Sequence, residues 1–239
     1  MLRLFFLWTA CLLLFPILAL QGLWVRRQAI QLPEAIGARA SSVSERLLVV
    51  LGDSVVAGVG VDERHQALPA KLAGEMSLMD GSTWAWRAMG TNGDRLKDIL
   101  QHVPRLSLLE QKPDMVVVNV GVNDVTKLTS LMRWQLEITT LVSQLKQGLD
   151  VPVVFLGLPP MQHFSLLPQP LRFALGVRAQ ILDQSLERVA NLLPNIHFVK
   201  TELSLQEGFM ASDGYHPSAE GVEVWSQSLA AQLRDRALI

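Results

Sequence analysis

The sequence predicts an α/β domain of three layers, α/β/α, around a five-stranded parallel sheet, preceded by a transmembrane helix. Three observations carry this. Short apolar runs alternate with longer stretches of helical period, the β-α-β-α order of a parallel sheet covered by helices. The runs Leu47–Leu51 and Met115–Val118 are continuously apolar instead of alternating, as strands buried on both faces are. From Leu4 to Val25 no residue is charged, and that length suits a helix crossing a bilayer, which needs about 20 residues.

Residues 1–27 therefore read as an N-terminal membrane anchor, with a cleaved signal segment as the alternative. Against cleavage, the run exceeds a usual signal core, and Arg26 and Arg27 stand where small residues would mark the cut. The chain is expected in a membrane, a bacterial inner membrane in the first instance. Arg3 and the α-amino group on one side nearly balance Arg26, Arg27 and Arg39 on the other, so the side that holds the domain stays open. Residues 28–45, with Pro33, Gly37 and a small polar stretch from Ser41 to Ser44, show no apolar period and read as a linker.

The domain occupies residues 46–239. Strands are expected at Leu47–Leu51, Trp84–Ala88, Met115–Val120, Val153–Leu158 and Ile196–Val199. Helices are expected at Gln66–Met79, Asp94–His102, Leu131–Gly148, Leu171–Leu193 and Ser218–Arg236. In the last, Val222, Trp225, Leu229 and Leu233 recur at spacings of three and four and share one face.

Composition narrows the function. With 239 residues, 49% of them apolar, the chain suits one domain of roughly 200 residues plus an extension. Its 21 basic and 22 acidic side chains offer no basic excess for nucleic acid. The single cysteine, Cys11, lies in the apolar run, which leaves the domain without a disulfide or a cysteine-based zinc site.

In a parallel sheet of this kind ligands bind beyond the carboxyl ends of the strands, and four polar segments fall there. Gly52-Asp53-Ser54 follows the first run and puts a hydroxyl where a helix is expected to begin, so that free N–H groups would stabilise an oxyanion. Asp213-Gly214-Tyr215-His216-Pro217 follows the last run; Gly214 permits a tight turn, and a carboxylate three residues before a histidine can fix its tautomer. Gly121-Val122-Asn123-Asp124 follows the third run and offers the Asn123 amide to the same rim, while Met89-Gly90-Thr91 follows the second and offers a backbone N–H at Gly90. Taken singly, each reads equally as a turn or a helix cap.

Together they resemble the SGNH hydrolases, also called the GDSL lipase/esterase family, over nearly all of residues 46–239. The four residues that name that family match Ser54, Gly90, Asn123 and His216. The resemblance implies a flavodoxin-like fold, a triad of Ser54, Asp213 and His216, and an oxyanion hole from the Ser54 N–H, the Gly90 N–H and the Asn123 side chain. The stretch Gly157–Gly176, rich in proline and apolar residues, resembles a bacterial lipase-like subgroup. In it Leu158, Met161, Phe164, Leu166, Leu167 and Phe173 read either as an acyl-pocket wall or lid or as a loop packed on the core. Trp134 is a minor candidate for the substrate wall.

The expected activity is hydrolysis of carboxylic esters or thioesters through an acyl-enzyme, with a small-molecule or lipid-like acyl ester as substrate and no metal or organic cofactor. Two other readings stay open. A metal-dependent hydrolase would use Asp53, Asn123, Asp213 and His216, but lacks a paired-histidine motif. A non-catalytic anchored binding domain would be expected to have lost a polar site residue, and none is missing.

Overall fold

The five apolar runs form one parallel sheet in the computed structural model, which describes residues 2–202 and 208–239. Its strands are β1 (Arg46–Gly52), β2 (Trp84–Gly90), β3 (Met115–Asn119), β4 (Val153–Leu156) and β5 (Ile196–Val199), in the order β2-β1-β3-β4-β5. The chain leaves β1 for β2 on one side and returns to the other side for β3. The crossovers on either side of β1 thus diverge, opening a crevice at the carboxyl ends of β1 and β3. The strand order is that of flavodoxin-like doubly wound sheets, as the resemblance implies.

The helices are α1 (Leu2–Leu12), α2 (Phe15–Gln28), α3 (Leu68–Asp80), α4 (Leu96–Ile99), α5 (Val122–Thr126), α6 (Leu131–Gly148), α7 (Leu171–Asn191) and α8 (Ala219–Asp235). Alternation along β1 sorts them into layers. Leu47, Val49 and Leu51 pack with Ile99, Ile138 and Leu182 of α4, α6 and α7, whereas Leu48 and Val50 pack with Leu72 and Met76 of α3 and Leu229 of α8. Both faces are covered, which is why the run is apolar at every position.

Three sequence expectations change. The helix expected over Asp94–His102 shrinks to α4, followed by a 3-10 turn at Val103–Leu108, where Pro104 has no N–H to donate to the Leu100 carbonyl and so cannot continue an α-helical ladder. No helix begins at Ser54; residues 54–60 form consecutive turns in which Gly58 and Gly60 take positive φ of 77° and 101°. Within the expected linker, residues 39–41 run along the outer edge of β2, where the Ser41 N–H donates to the Trp86 carbonyl at 3.0 Å and the Ala88 N–H to the Arg39 carbonyl at 2.8 Å. They cover an edge that would otherwise present unpaired backbone groups.

The single transmembrane helix is also corrected. No single helix among the described residues is long and apolar enough to cross a membrane; α1 and α2 meet that test only as a pair bent by 81°. Pro16 is the cause. Within the first turn of α2 its missing N–H is harmless, but in a continuous helix it would leave the Leu12 carbonyl unpaired and press its ring on that turn. The chain instead closes α1 with bonds from the Leu13 N–H to the Ala10 carbonyl (3.2 Å) and from the Leu14 N–H to the Cys11 carbonyl (2.9 Å).

Candidate active site

Ser54 lies two residues beyond the end of β1, buried, with its Oγ 2.9 Å from His216 Nε2. His216 Nδ1 in turn lies 2.6 Å from Asp213 Oδ2. The turn that brings acid and base together is built locally: Asp213 Oδ1 accepts the N–H groups of Tyr215 (2.9 Å) and His216 (3.0 Å), and Gly214 takes φ of 63°. Burial pushes the Asp213 carboxyl up, but hydrogen bonds from the His216 ring and from the His216 and Tyr215 N–H groups outweigh it and hold the carboxyl below its ordinary range. An ionised Asp213 accepts a hydrogen bond from the Nδ1–H of His216, which leaves Nε2 as an acceptor for the Ser54 hydroxyl. Such a line can draw a proton from the hydroxyl as it attacks a carbonyl carbon.

Asn123 sits in the first turn of α5, a helix of five residues too short to show a sequence period. Its Nδ2 donates to the Asp94 carbonyl at 3.0 Å and, over a longer 3.4 Å, to Asp53 Oδ2, so the amide lies against the neighbour of Ser54. Gly90 ends β2 in register with Gly52. A Cβ at Gly90 would fall inside the Gly52 carbonyl, so the close approach of the two strand ends requires glycine there. The structure thus joins Ser54, Asp213 and His216 directly, ties Asn123 to the same strand end through Asp53, and sets Gly90 beside that strand end on β2.

Two contributors, Arg39 and Glu34, carry no recognisable sequence signal. Arg39 donates from Nη1 to the Gly90 carbonyl at 2.6 Å, and Glu34 Oε1 accepts the Asn92 N–H at 2.9 Å, so the supposed linker holds the loop after β2. Asp53 is 3% exposed; burial pushes its carboxyl up to about 7, opposed by the Val55 N–H and His216 and assisted by the charges of Asp124 and Asp94. Tyr215 packs edge-on against both His216 (5.2 Å) and Phe164 (5.5 Å), and burial with the nearby Asp53 and Asp213 carboxyls pushes its hydroxyl up.

The cleft at Ser54 and His216 encloses about 40 Å³, with Val55, Val122, Pro159, Phe164 and Trp225 among its walls. Of the six apolar residues proposed for an acyl wall, Phe164 alone is among those lining it. Leu158, Met161 and Leu167 are buried in the core, Leu166 is half-buried and Phe173 is exposed. Trp134, the other wall candidate, is fully buried and donates its indole N–H to the Leu182 carbonyl at 3.1 Å, whereas Trp225, on the apolar face of α8, is buried in the core and also lines the cleft. Among the described residues no three His, Cys, Asp or Glu side chains gather into a group able to hold a metal ion.

A model of the GDSL-like lipase/acylhydrolase family matches residues 50–224. A GDSL-like esterase of Mycobacterium tuberculosis is 24% identical over 194 residues, which cover 79% of this chain and 62% of that protein. The chain therefore spans less than two thirds of this relative's length. Among solved structures, the psychrotrophic esterase EstA from Pseudoalteromonas sp. is similar in fold, with a TM-score of 0.61 at 17% identity over 81% of this chain and 99% of that one. TesA gives 0.59 at 21% identity over 80% and 99%. The acetylxylan esterase Axe2 from Geobacillus stearothermophilus gives 0.56 at 20% identity over 80% and 94%.

Proposed function

The chain belongs to the GDSL-like lipase/acylhydrolase family, and from that premise we propose that it is a serine esterase cleaving carboxylic esters or thioesters of lipid-like acyl groups through an acyl-enzyme. The observation that carries the proposal is the unbroken line of hydrogen bonds from Asp213 through His216 to Ser54 at the crevice of the sheet.

Ser54 Oγ attacks the carbonyl carbon as its proton passes to His216 Nε2, and Asp213 balances the imidazolium that forms. The oxyanion takes the N–H of Ser54, the N–H of Gly90 and Asn123 Nδ2. The longer of the two Asn123 bonds, to Asp53 at 3.4 Å, is the one an oxyanion would replace. The C–O or C–S bond then breaks, and the leaving alcohol or thiol takes the proton from His216. Water, deprotonated by the same imidazole, attacks the acyl carbonyl, releasing the acid and returning the proton to Ser54.

The apolar walls at Val55, Val122, Pro159 and Phe164 support an acyl group that is hydrocarbon next to its carbonyl. A second reading, a short acyl ester such as acetate, is favoured by the small size of the cleft, about 40 Å³. Rates of the full chain on p-nitrophenyl esters from acetate to palmitate separate the two: a maximum at medium or long chains supports the lipid-like substrate, and a maximum at acetate replaces it. Ser54→Ala should keep the fold and lose at least ~10⁴-fold in turnover. Undiminished hydrolysis by that variant would sink the assignment of Ser54. A phosphonate of the kind that inhibits EstA should add its mass to wild type and not to Ser54→Ala.

A further inference from the structure

We propose that α1 and α2 form a seat that lies within the surface of an anionic phospholipid bilayer, docked on α7. Four observations carry this, independently of what Ser54 cleaves.

Each helix has an inward stripe already committed to the domain. Cys11 and Leu18 are buried, the Trp8 ring lies 5.1 Å from the Arg178 guanidinium, and Gln21 donates to the Gln169 carbonyl (2.7 Å) while accepting the Leu171 N–H (3.0 Å). Straightening the pair into one span would break these contacts. Nor does either helix reach across alone: 11 and 14 residues extend about 16 and 21 Å, against a hydrocarbon core of about 30 Å.

The outward faces are apolar. Eleven of the twenty-one exposed large apolar side chains found among the described residues lie between Leu2 and Ile30. Phe5, Phe6, Phe15, Leu20, Leu23 and Trp24 are each more than half exposed, a concentration that marks a surface for another phase or partner.

Charge selects the partner. Arg3, Arg26 and Arg27 are exposed at the two ends of the pair, and no acidic residue precedes Glu34. Aromatic and leucine side chains on one face with arginines at the margins are the pattern of a helix lying in a bilayer interface, and the arginines suit anionic headgroups.

Position links the seat to the chemistry. Gln21 grips the start of α7, directly after the stretch that contributes Phe164 to the cleft. Arg178, under Trp8, donates to the carbonyls of Val125 and Thr129 and so braces the helix that carries Asn123. A bilayer bound at α1 and α2 would thus be linked through α7 to segments that carry Phe164 and Asn123.

The test uses the full chain, diluted from detergent onto vesicles of phosphatidylcholine alone or with roughly one third phosphatidylglycerol, and read by flotation. The expected result is stronger flotation with the anionic vesicles and release from cell membranes by an alkaline carbonate wash. A Leu20→Glu, Leu23→Glu double variant should bind at least about tenfold more weakly while hydrolysing a soluble short-chain ester at the wild-type rate. Resistance to carbonate would mean a span, and failure to float would mean no lipid seat. A vesicle-free dimer that the double variant splits would mean that a second copy covers the face. Each of these overturns the proposal, and none depends on which ester is cleaved.

Discussion

Replacing Asp53 by asparagine should flatten the dependence of stability on pH. The folded Asp53 holds its proton up to about 7, whereas the unfolded carboxyl releases it near 3.8. Between those values the native state binds more protons than the unfolded one, so its stability falls as pH rises through that window and levels off above it. The displacement corresponds to about 4 kcal/mol, and its leading cause is loss of hydration at a side chain 3% exposed. Asparagine is nearly isosteric, and its amide oxygen can still accept the Val55 N–H that Asp53 Oδ1 takes at 3.4 Å. Its neutral amide carries no desolvated charge at any pH. The measurement is urea unfolding of wild type and Asp53→Asn at intervals between pH 4 and pH 8, in mild detergent to mask the N-terminal helices. The difference between the two curves cancels groups common to both, such as Asp183, whose carboxyl burial pushes up to about 6. Wild type should lose up to about 4 kcal/mol relative to the variant across the range. Parallel curves, or a difference that grows in the opposite direction, would refute the reasoning.

Other perturbations separate the remaining roles. Asn123→Ala should lower kcat on a p-nitrophenyl ester by ~10²–10³ with little change in KM, since the amide is asked to act on the oxyanion; unchanged kcat removes it from that role. Asp213→Asn should leave the turn in place but favour the wrong ring tautomer of His216, at a loss of about 10⁴ in kcat, and activity within tenfold of wild type would take Asp213 out of the relay. Gly90→Ala forces a Cβ into the Gly52 carbonyl and should lower the urea midpoint by the equivalent of about 1–3 kcal/mol; an unchanged midpoint would mean that the β1 and β2 ends part freely.

The sheet was legible because a strand covered on both faces leaves an uninterrupted apolar run, as at Leu47–Leu51 and Met115–Val118. Five-residue α5 was not, because it completes barely more than one turn and its apolar positions cannot repeat. Pro16 sat in plain view inside the apolar run, yet a hydropathy count does not weigh a missing N–H, and the expected single helix became two. In the site, Ser54 and His216 were legible by residue type and by their place after strands. The raised carboxyl of Asp53 was not, since it arises from packing and from Asp94 and Asp124, which lie far along the chain. Likewise the six apolar residues between Leu158 and Phe173 look alike in sequence, and only tertiary geometry sends Phe164 to the cleft and Leu158, Met161 and Leu167 to the core.

Ser54 and His216 meet across 162 positions of the chain, more than two thirds of its length. A ribosome therefore releases the serine long before its base exists. Until α8 has followed His216 into place against α3, the hydroxyl remains an ordinary alcohol. On the proposed reading, the order of synthesis keeps the nascent protein harmless to nearby esters until that point. A stalled chain ending before residue 213 should bind neither phosphonate nor substrate, which makes covalent labelling of Ser54 a report on completion of the fold.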